Sequence, residues 1–518
     1  APDRVGEILP SKALLLRQIG NTLPGAYRFR PAADLASEVE WAKNRRIAPG
    51  RYRAELGDRT PPIPPDLMAR VYREYERRKE AAGLVDFEDL LERAIGLFET
   101  DERAAGTFRA RYRAFTVDEY QDVNLLQQTL LDLWLGERDD LCVVGDDYQS
   151  IYAFTGAGPE HLLGVPRRFP GALVVRLEEN YRSTPEVLRL ANRLVPRLGG
   201  AEKVLVAARG PGPEPVVRGF ASPAEESAAI VAALRELDCP FEEAAVLCRT
   251  NARLTDYEEL LHDAGIPFQG ASLLARDAAR RLLPRLAHAG AQPARDVVRA
   301  AAVAAGWLEE PHDALGEREL VRQTDLARLV TLADGFPGDA SAFVDDLRRR
   351  FDPGGDGARG VHLLTLHRAK GLEFEAVFLP RLEAKELPSR QARTADQLAE
   401  ERRLLYVGLT RAKRILWVSW SGAPSPFVQE LGAAARPPSR GAPRPSWTPL
   451  GERLRAWRLE RARTDGVPPF VVFHDRVLHE IAETQPASLE ELAQVSGVGP
   501  AKLERYGPEL LGALRSEG

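Results

Sequence analysis

Carboxylates and amides follow two apolar runs in the first third of the chain. Asp118 and Glu119 come directly after the run FTV, and Gln149 lies a few residues beyond the run LCVV. Because buried parallel strands deliver polar groups to their carboxyl edge, where open α/β sheets bind ligands, we expect these side chains to share one site. The pair Asp118 and Glu119 suits magnesium-assisted phosphate chemistry, with one carboxylate for the ion and one for a water. Acidic residues that merely end a strand are the alternative interpretation.

Strand and helix patterns alternate around these residues, as is typical of doubly wound parallel sheets. The predicted strands of a first sheet are FTVDEYQ, LCVVGD and ALVVRL, and those of a second sheet are EAAVLCRT, VHLLTLH, AVFLP and ILWVSW. The fold class predicted is therefore α/β, with two such sheet domains, helical insertions at 1–100 and 270–357, and an all-α domain at 447–518 after a Pro/Arg/Ser-rich linker at 433–446.

Composition limits the class of protein. A chain of 518 residues exceeds one hydrophobic core, so three to five domains are expected. No apolar run approaches the roughly 20 residues that span a bilayer, so no membrane association is predicted. Three scattered cysteines fit neither a disulfide framework nor a zinc site, which favours the cytoplasm. The net charge of −5 does not favour nucleic-acid binding, but a basic groove is easily outweighed by acidic surface elsewhere.

Taken together, these segments resemble the UvrD/Rep/PcrA group of superfamily 1 DNA helicases, whose fold is a pair of RecA-like domains. DEYQD resembles the Walker B motif of that group, which implies that Asp118 holds Mg²⁺ and that Glu119 is the general base for the attacking water. The segment GDDYQSIYAFTGA resembles motif III. That resemblance implies that Gln149 senses the γ-phosphate of ATP.

The same motif implies that Tyr152 and Phe154 stack on bases of single-stranded DNA, because aromatic faces bind bases without reading sequence. The alternative is that both aromatic residues belong to the core. The family commonly has Trp-Arg where this chain has Phe154-Thr155, so a coupling role of that arginine is absent here. The FTGA version with an added HRDC-type domain resembles a separate bacterial branch of the group.

Motif IV is matched by LEENYRSTPEV, which implies that Tyr181 packs on the adenine and that Arg182 reaches the γ-phosphate from the second domain. Asn180 and Ser183 could also simply cap the helix that starts near Pro185. Both interpretations can hold together.

Motifs V and VI complete the resemblance. HLLTLHRAKGLEFEAVFLP implies that Thr365 and His367 touch DNA phosphate and that Glu373 accepts from the ribose hydroxyl of the nucleotide. EERRLLYVGLTRAKRILWVSW implies that Arg411 is an arginine finger supplied across the cleft. Its neighbours Arg402, Arg403 and Lys413 could equally form a solvated helix face.

The resemblance also implies domain limits. Residues 1–100 correspond to the helical accessory domain 1B and its return to the first motor domain, 101–195 to motor domain 1A, 196–269 together with 358–432 to motor domain 2A, and 270–357 to a short 2B domain. Residues 447–518 resemble an HRDC domain, with Phe473, Leu478 and Ile481 among the residues spaced to line a helix bundle. Its GVG turn either presents amides to a DNA phosphate or merely joins two helices.

No phosphate-cradling loop GxxxxGK[ST] occurs in these 518 residues, and none of the eight lysines follows a glycine and precedes Ser or Thr. Without that loop, tight ATP binding is expected to fail, and a sheet without the strand that carries the loop is expected to expose apolar edges. A fragment, a truncated or misread gene, and a natural remnant are three explanations, of which a fragment or defective reading of a genuine helicase is favoured.

The resemblance implies an ATP-dependent 3′→5′ DNA helicase or translocase that uses ATP and Mg²⁺. Single-stranded DNA and single-strand/double-strand junctions would be its substrates in repair or replication, and repair proteins would be candidate partners of the HRDC-like domain. The alternative is a non-hydrolysing DNA-binding or interaction protein derived from a helicase. A helicase–nuclease subunit is disfavoured, because nothing after motif VI resembles a metal-dependent nuclease.

Overall fold

The computed structural model describes residues 6–24, 27, 32–57, 59–270, 273–290, 292–309, 317–351, 359–432, 448–465, 473, 475–492, 495 and 500–515. The chain divides into two compact units, Ala1–Pro438 and Ser439–Gly518. The predicted linker at 433–446 and the predicted GVG turn at 497–499 lie outside the described residues.

The larger sheet contains six parallel strands and confirms the predicted α/β class. Its spatial order is Val216–Gly219, Ala412–Trp420, Phe374–Leu379, Ala244–Cys248, Val361–Thr365 and Phe268–Gly270. The helices of this region are Pro223–Arg235, Asn251–Asp263, Ala395–Leu409 and Pro426–Glu430. Every residue of the strand Ala244–Cys248 is buried, as a central strand covered on both faces requires. The two outermost strands, Val216–Gly219 and Phe268–Gly270, were not predicted.

The first sheet is much smaller and holds only two parallel strands, Phe115–Val117 and Leu141–Val143. The helices around it are Phe87–Thr100, Glu102–Arg111, Leu125–Leu135 and Glu160–Arg168. The prediction of a strand at 172–177, ALVVRL, is wrong, because this segment is irregular and its Leu173 is 88% exposed. In the part of the chain that the structure describes, no strand pairs with it, so its backbone groups have no ladder to join.

The helix Pro185–Asn192 packs into the core of the larger sheet, where Val187 and Leu190 belong to the same buried cluster as Val377 and Val418. The amide N–H of Thr184 also donates to the carbonyl of Lys413, at 2.9 Å. A short parallel pair, Glu179–Asn180 with Val206–Ala207, precedes and follows this helix. The boundary predicted at residue 195 therefore falls after a helix that shares the core of the larger sheet.

The N-terminal region is helical, as predicted, with helices Lys12–Gly20, Ala32–Asn44, Tyr52–Glu55 and Pro65–Ala81 and a short strand pair, Glu7–Ile8 with Leu84–Val85. Two buried lysines hold its helices together. Lys43 lies 2.7 Å from Asp86, and Lys79 lies 2.5 Å from Asp89, with Glu76 beside both. Asp86 also begins the helix Phe87–Thr100 through a capping box, so one carboxylate caps a helix and pairs with lysine.

The insertion after the strand Phe268–Gly270 consists of the helices Asp277–Ala287, Ala294–Ala304, Glu317–Asp334 and Ala340–Phe351 around their own apolar core. At its base Arg276 lies 2.8 Å from Asp325 and 3.4 Å from Glu258. Burial raises the pKa of Glu258 to about 7, because the charge of Arg276 only partly offsets the loss of solvation and Asp325 adds a like charge.

The C-terminal unit is helical, as predicted, with helices Pro449–Asp465, Asp475–Thr484, Leu489–Leu492 and Pro500–Arg515. Phe473, Leu478 and Ile481 are buried in its core together with Tyr506 and Leu510. Across both units, no helix in the described ranges has the length and apolar character to cross a membrane.

Candidate nucleotide and DNA site

The predicted catalytic carboxylates lie at the carboxyl end of the strand Phe115–Val117, and both are exposed. The backbone of Glu119 is left-handed, with φ of 50°, which turns its carboxylate toward Gln121. The Nε2 of Gln121 donates to Oε2 of Glu119 at 2.5 Å, and the backbone N–H of Glu119 donates to Oδ1 of Asp118 at 2.8 Å.

Gln121 joins the two strand ends, as the sequence predicts for groups at one sheet edge. Its Oε1 accepts from the backbone N–H of Asp146 at 2.9 Å, and the side chain is fully buried. The approach requires glycine at position 145, because a Cβ there would lie 2.6 Å from that oxygen. Asp146 in turn accepts from Nε2 of Gln149 at 2.9 Å. Hydrogen bonds thus run from Glu119 to Gln149 without interruption.

Arg411, which directly precedes the strand Ala412–Trp420 of the larger sheet, continues this network. Its Nη2 donates to Oε1 of Gln149 at 3.2 Å, while Nη1 and Nε donate to the carbonyls of Leu372 and Val407, both at 3.1 Å. The side chain is 1% exposed, and burial together with nearby Arg182 lowers the pKa of Arg411 to about 10. Of the neighbours for which a solvated face was the alternative, Arg402 lies 2.7 Å from Glu430 and Lys413 lies 3.3 Å from Glu373, so both are paired with carboxylates.

The residues predicted to bind the nucleotide from the second motor domain also lie together. Arg182 donates from Nε to Oε2 of Glu373, and Lys413 lies 3.3 Å from the same carboxylate. The bond from Arg182 lowers the pKa of Glu373. Tyr181 is 72% exposed, with its hydroxyl donating to Glu179 at 2.7 Å. Its open ring face could receive a flat ligand.

Asn180 supports this loop but does not cap the helix, so the capping interpretation is wrong: the N-cap of Pro185–Asn192 is Thr184, and no described side chain caps that helix end. Its Oδ1 accepts from the backbone N–H groups of Arg182 and Ser183, at 3.0 and 2.8 Å. Ser183 donates its hydroxyl to the carbonyl of Ala412 at 2.6 Å. Both side chains are used for structure, which leaves Tyr181 and Arg182 as the groups directed toward a ligand.

Lys370 contacts several members of this cluster, which the sequence did not indicate. Its Nζ donates to the carbonyl of Gln149 at 2.8 Å, is bonded to Asp122, and lies 3.6 Å from Oε2 of Glu119. Burial raises the pKa of Asp122, whose second oxygen, Oδ1, has no hydrogen-bond partner. The region of the larger sheet thus places a cation beside the candidate general base.

The predicted DNA-binding residues lie on the far side of Gln149. The rings of Tyr152 and Phe154 pack edge to face, with their centroids 6.0 Å apart. The ring of Phe154 packs in the same way on that of His367, also with 6.0 Å between centroids. Phe154 is 42% exposed, whereas Tyr152 is half-buried against the core of the larger sheet. The core interpretation therefore applies in part to Tyr152 and not to Phe154.

A cavity of about 560 Å³ opens beside Phe154, Thr365 and His367. Among the other polar residues that line it, sequence reasoning missed Arg249, Thr250, Asn251 and Glu400. The first three come directly after the buried strand Ala244–Cys248. A polar run at the carboxyl end of an apolar strand was the signal that identified Asp118, and it applies to them equally.

The side chains present fit a divalent ion in part. Asp118 and Glu119 offer exposed carboxylate oxygens, the ligands that Mg²⁺ takes from proteins while phosphates and waters complete its shell. The sequence contains no GxxxxGK[ST] cradle for the phosphates themselves. A second carboxylate group, Glu76, Asp86 and Asp89, is neutralised by Lys43 and Lys79 and so does not fit a metal.

Three protein-family models match the chain. The UvrD/REP helicase N-terminal domain matches residues 15–170, and the UvrD-like helicase C-terminal domain matches residues 175–285 and 343–423. The HRDC domain matches residues 449–514. The gap in the second match falls within the helical insertion.

Curated relatives match over most of their length. The chain is 37% identical to the ATP-dependent DNA helicase UvrD2 of Mycobacterium tuberculosis, over 93% of this chain and 79% of that protein. It is 28% identical to the ATP-dependent DNA helicase PcrA of Leuconostoc citreum, over 81% of this chain and 70% of that protein. With these matches beside the geometry above, the chain belongs to the UvrD/REP family of DNA helicases.

Proposed function

We propose that this protein acts as an ATP-dependent 3′→5′ helicase or translocase on single-stranded DNA and single-strand/double-strand junctions, in DNA repair or replication in the cytoplasm. The observation that supports this most is the hydrogen-bonded path from Glu119 through Gln121, Asp146 and Gln149 to Arg411. It links Glu119, the candidate hydrolytic carboxylate, to Arg411 of the opposite motor domain. The loop that carries Tyr152 and Phe154, here called the aromatic loop, begins three residues after Gln149.

The roles divide between the two sides of the path. Asp118 would hold Mg²⁺, which supplies charge stabilisation at the phosphate oxygens when bound, and Glu119 would take a proton from water. Gln149, Arg182 and Arg411 would contact the γ-phosphate. Tyr181 would face the adenine and Glu373 the ribose. On the DNA side, Tyr152 and Phe154 would meet bases, and Thr365 and His367 would meet phosphate.

The domain roles follow the same division. Residues 1–100 would form accessory domain 1B, 101–195 motor domain 1A except for the helix Pro185–Asn192, which packs with the larger sheet, 196–269 with 358–432 motor domain 2A, and 270–357 domain 2B. The C-terminal HRDC domain would recruit repair proteins or touch DNA weakly. Motion of the motor domains against each other would move the aromatic loop along single-stranded DNA.

A non-hydrolysing DNA-binding or interaction protein is the second candidate. It is favoured by the absence of a GxxxxGK[ST] loop from the 518 residues, since backbone amides and a lysine normally hold the β- and γ-phosphates. Both candidates would bind single-stranded DNA through the same residues, and they differ only in whether ATP is hydrolysed.

A DNA-stimulated ATPase assay on this chain separates the two. Turnover that Glu119→Gln abolishes, while the exposed control Glu137→Gln keeps it, would support the helicase and contradict the non-hydrolysing candidate. Strand displacement from a 3′-tailed and not a 5′-tailed duplex would then establish polarity. Absence of turnover together with tight binding of single-stranded DNA would support the second candidate, and absence of DNA binding would contradict both.

A further inference from the structure

The aromatic loop consists of a single short turn, Ala153–Thr155, that Tyr152 precedes and Gly156 ends. Gly156 has φ of 89°, a conformation that favours glycine. One turn of this length has little internal hydrogen bonding, so its position depends on what holds it from outside. Two side chains from distant parts of the chain do so.

The first support comes from the helix Ala32–Asn44. Asn44 is buried, and its Nδ2 donates to the carbonyl of Thr155 at 2.7 Å. The helix approaches so closely that a Cβ on Gly156 would lie 3.3 Å from the carbonyl of Trp41. The neighbouring Lys43 is fixed within a buried set of carboxylates, so Asn44 is presented from a rigid helix end.

The second support comes from the helix Ala395–Leu409 of the other motor domain. Oε1 of Glu400 accepts a hydrogen bond from the backbone N–H of Ala153 at 2.9 Å. The adjacent Glu401 is held by three hydrogen bonds from Arg249, which fixes this part of the helix. Glu400 also lines the cavity beside Phe154, where a negative charge would repel a nucleic-acid backbone. Its presence there calls for a role other than attraction.

We propose that Asn44 and Glu400 are positioning residues that clamp the aromatic loop from both sides and so set the angle at which Phe154 meets a base. This inference rests on the proposed binding of single-stranded DNA. One support lies in the N-terminal helical region and the other in the second motor domain, so a movement of either is transmitted to the loop. Asn44 acts through the carbonyl that follows Phe154, and Glu400 acts through the amide that precedes it.

The test uses a single-stranded oligonucleotide carrying 2-aminopurine, whose fluorescence falls when an aromatic ring stacks on it. Glu400→Ala removes the charge and the acceptor, whereas Glu400→Gln removes only the charge. Asp396→Ala, on an exposed position of the same helix, is the matched control for charge. Thermal unfolding of each variant shows that the fold is kept.

At saturating DNA we expect Glu400→Ala and Asn44→Ala to lose at least half of the quenching and to bind roughly three- to tenfold more weakly, in proportion to one lost hydrogen bond. Glu400→Gln should keep wild-type quenching and bind equally or more tightly. Asp396→Ala should also keep wild-type quenching. If Glu400 acted only through its charge, Glu400→Ala would bind DNA more tightly than wild type, whereas the clamp predicts weaker binding.

The outcomes separate this inference from the proposed function. If the wild-type protein does not bind the oligonucleotide, or if Phe154→Ala quenches as well as wild type, the proposed DNA function fails. If quenching depends on Phe154 but Glu400→Ala and Asn44→Ala retain it, the clamp is overturned. It is also overturned if Glu400→Gln is as impaired as Glu400→Ala.

Discussion

Arg182 donates a hydrogen bond to Glu373, so two residues proposed for opposite ends of a nucleotide, the γ-phosphate and the ribose, form an ion pair with each other. Each satisfies the charge of the other at the edge where the ligand would enter. A nucleotide must therefore compete with this pair for both groups. Arg411 is constrained similarly, because its donors are bonded to Gln149 and to two backbone carbonyls.

The Arg182 pair should contribute little to stability. The two side chains are 31% and 43% exposed, so solvent screens their attraction, and Arg182→Ala should change the free energy of unfolding by about 0–1 kcal/mol. The control is Arg249→Ala. Arg249 and Glu401 are each 9% exposed, so that change leaves a buried carboxylate and should cost about 3–5 kcal/mol. Urea unfolding of the two variants measures both values, and equal losses would contradict the prediction.

Lys370 should be needed mainly because of Asp122. Lys370→Met leaves that half-buried carboxylate without its cation, and we expect a loss of about 3 kcal/mol in the free energy of unfolding. Adding Asp122→Asn removes the uncompensated charge and should restore most of the loss. Urea denaturation of the single and double variants tests this coupling. A double variant no more stable than Lys370→Met would show that Asp122 is not the cause.

Glu258 predicts a pH dependence of stability. Its pKa in the folded protein, about 7, lies above the ordinary value of 4.5, so the folded state binds more protons than the unfolded state between these pH values. Its contribution is complete below pH 4.5 and is lost as the pH rises through 7, by about 3 kcal/mol at most. Glu258→Gln keeps an acceptor for the backbone N–H of Leu273 and does not titrate. Melting temperatures recorded from pH 4.5 to 7.5 should fall less steeply for this variant than for wild type, and parallel curves would refute the assignment.

The exposed apolar segment at 172–177 predicts an effect on association. Leu173→Ser replaces a side chain that is 88% exposed and should leave the free energy of unfolding within about 0.5 kcal/mol, while self-association decreases. Leu188→Ser, at a residue 2% exposed, should instead cost several kcal/mol, on the order of a deleted core leucine. Light scattering against concentration and urea unfolding together check this pair. Unchanged scattering for Leu173→Ser would show that the segment does not drive association.

The second sheet was largely predictable, because strands such as Ala244–Cys248 are buried on both faces and appear as continuous apolar runs. The strands Val216–Gly219 and Phe268–Gly270 were missed because they lie at the sheet edges, where the first alternates with exposed residues and the second is only three residues long. The segment at 172–177 has the composition of a buried strand but no neighbouring strand to pair with in the described part of the chain. Local composition does not report the presence of a partner.

The candidate site was predicted by residue type more completely than by contact. The convergence of Glu119 and Gln149 followed from the rule that parallel strands end at one edge. That Gln121 bridges them depends on a buried amide with one donor and one acceptor in use, which no pattern of types reveals. The contacts of Lys370 and Glu400 cross more than 200 residues of chain and became visible only with the packing of the two motor domains.

The left-handed backbone of Glu119 lowers the stability of the fold at the position that carries the proposed catalytic carboxylate. Residues with a Cβ seldom adopt φ of 50°, and holding glutamate there costs on the order of 1–3 kcal/mol. Glycine or asparagine would relieve that strain while removing the carboxylate that faces the proposed water. Glutamate at position 119 therefore carries a cost in stability that glycine would not. The proposed role of its carboxylate in hydrolysis would account for that cost.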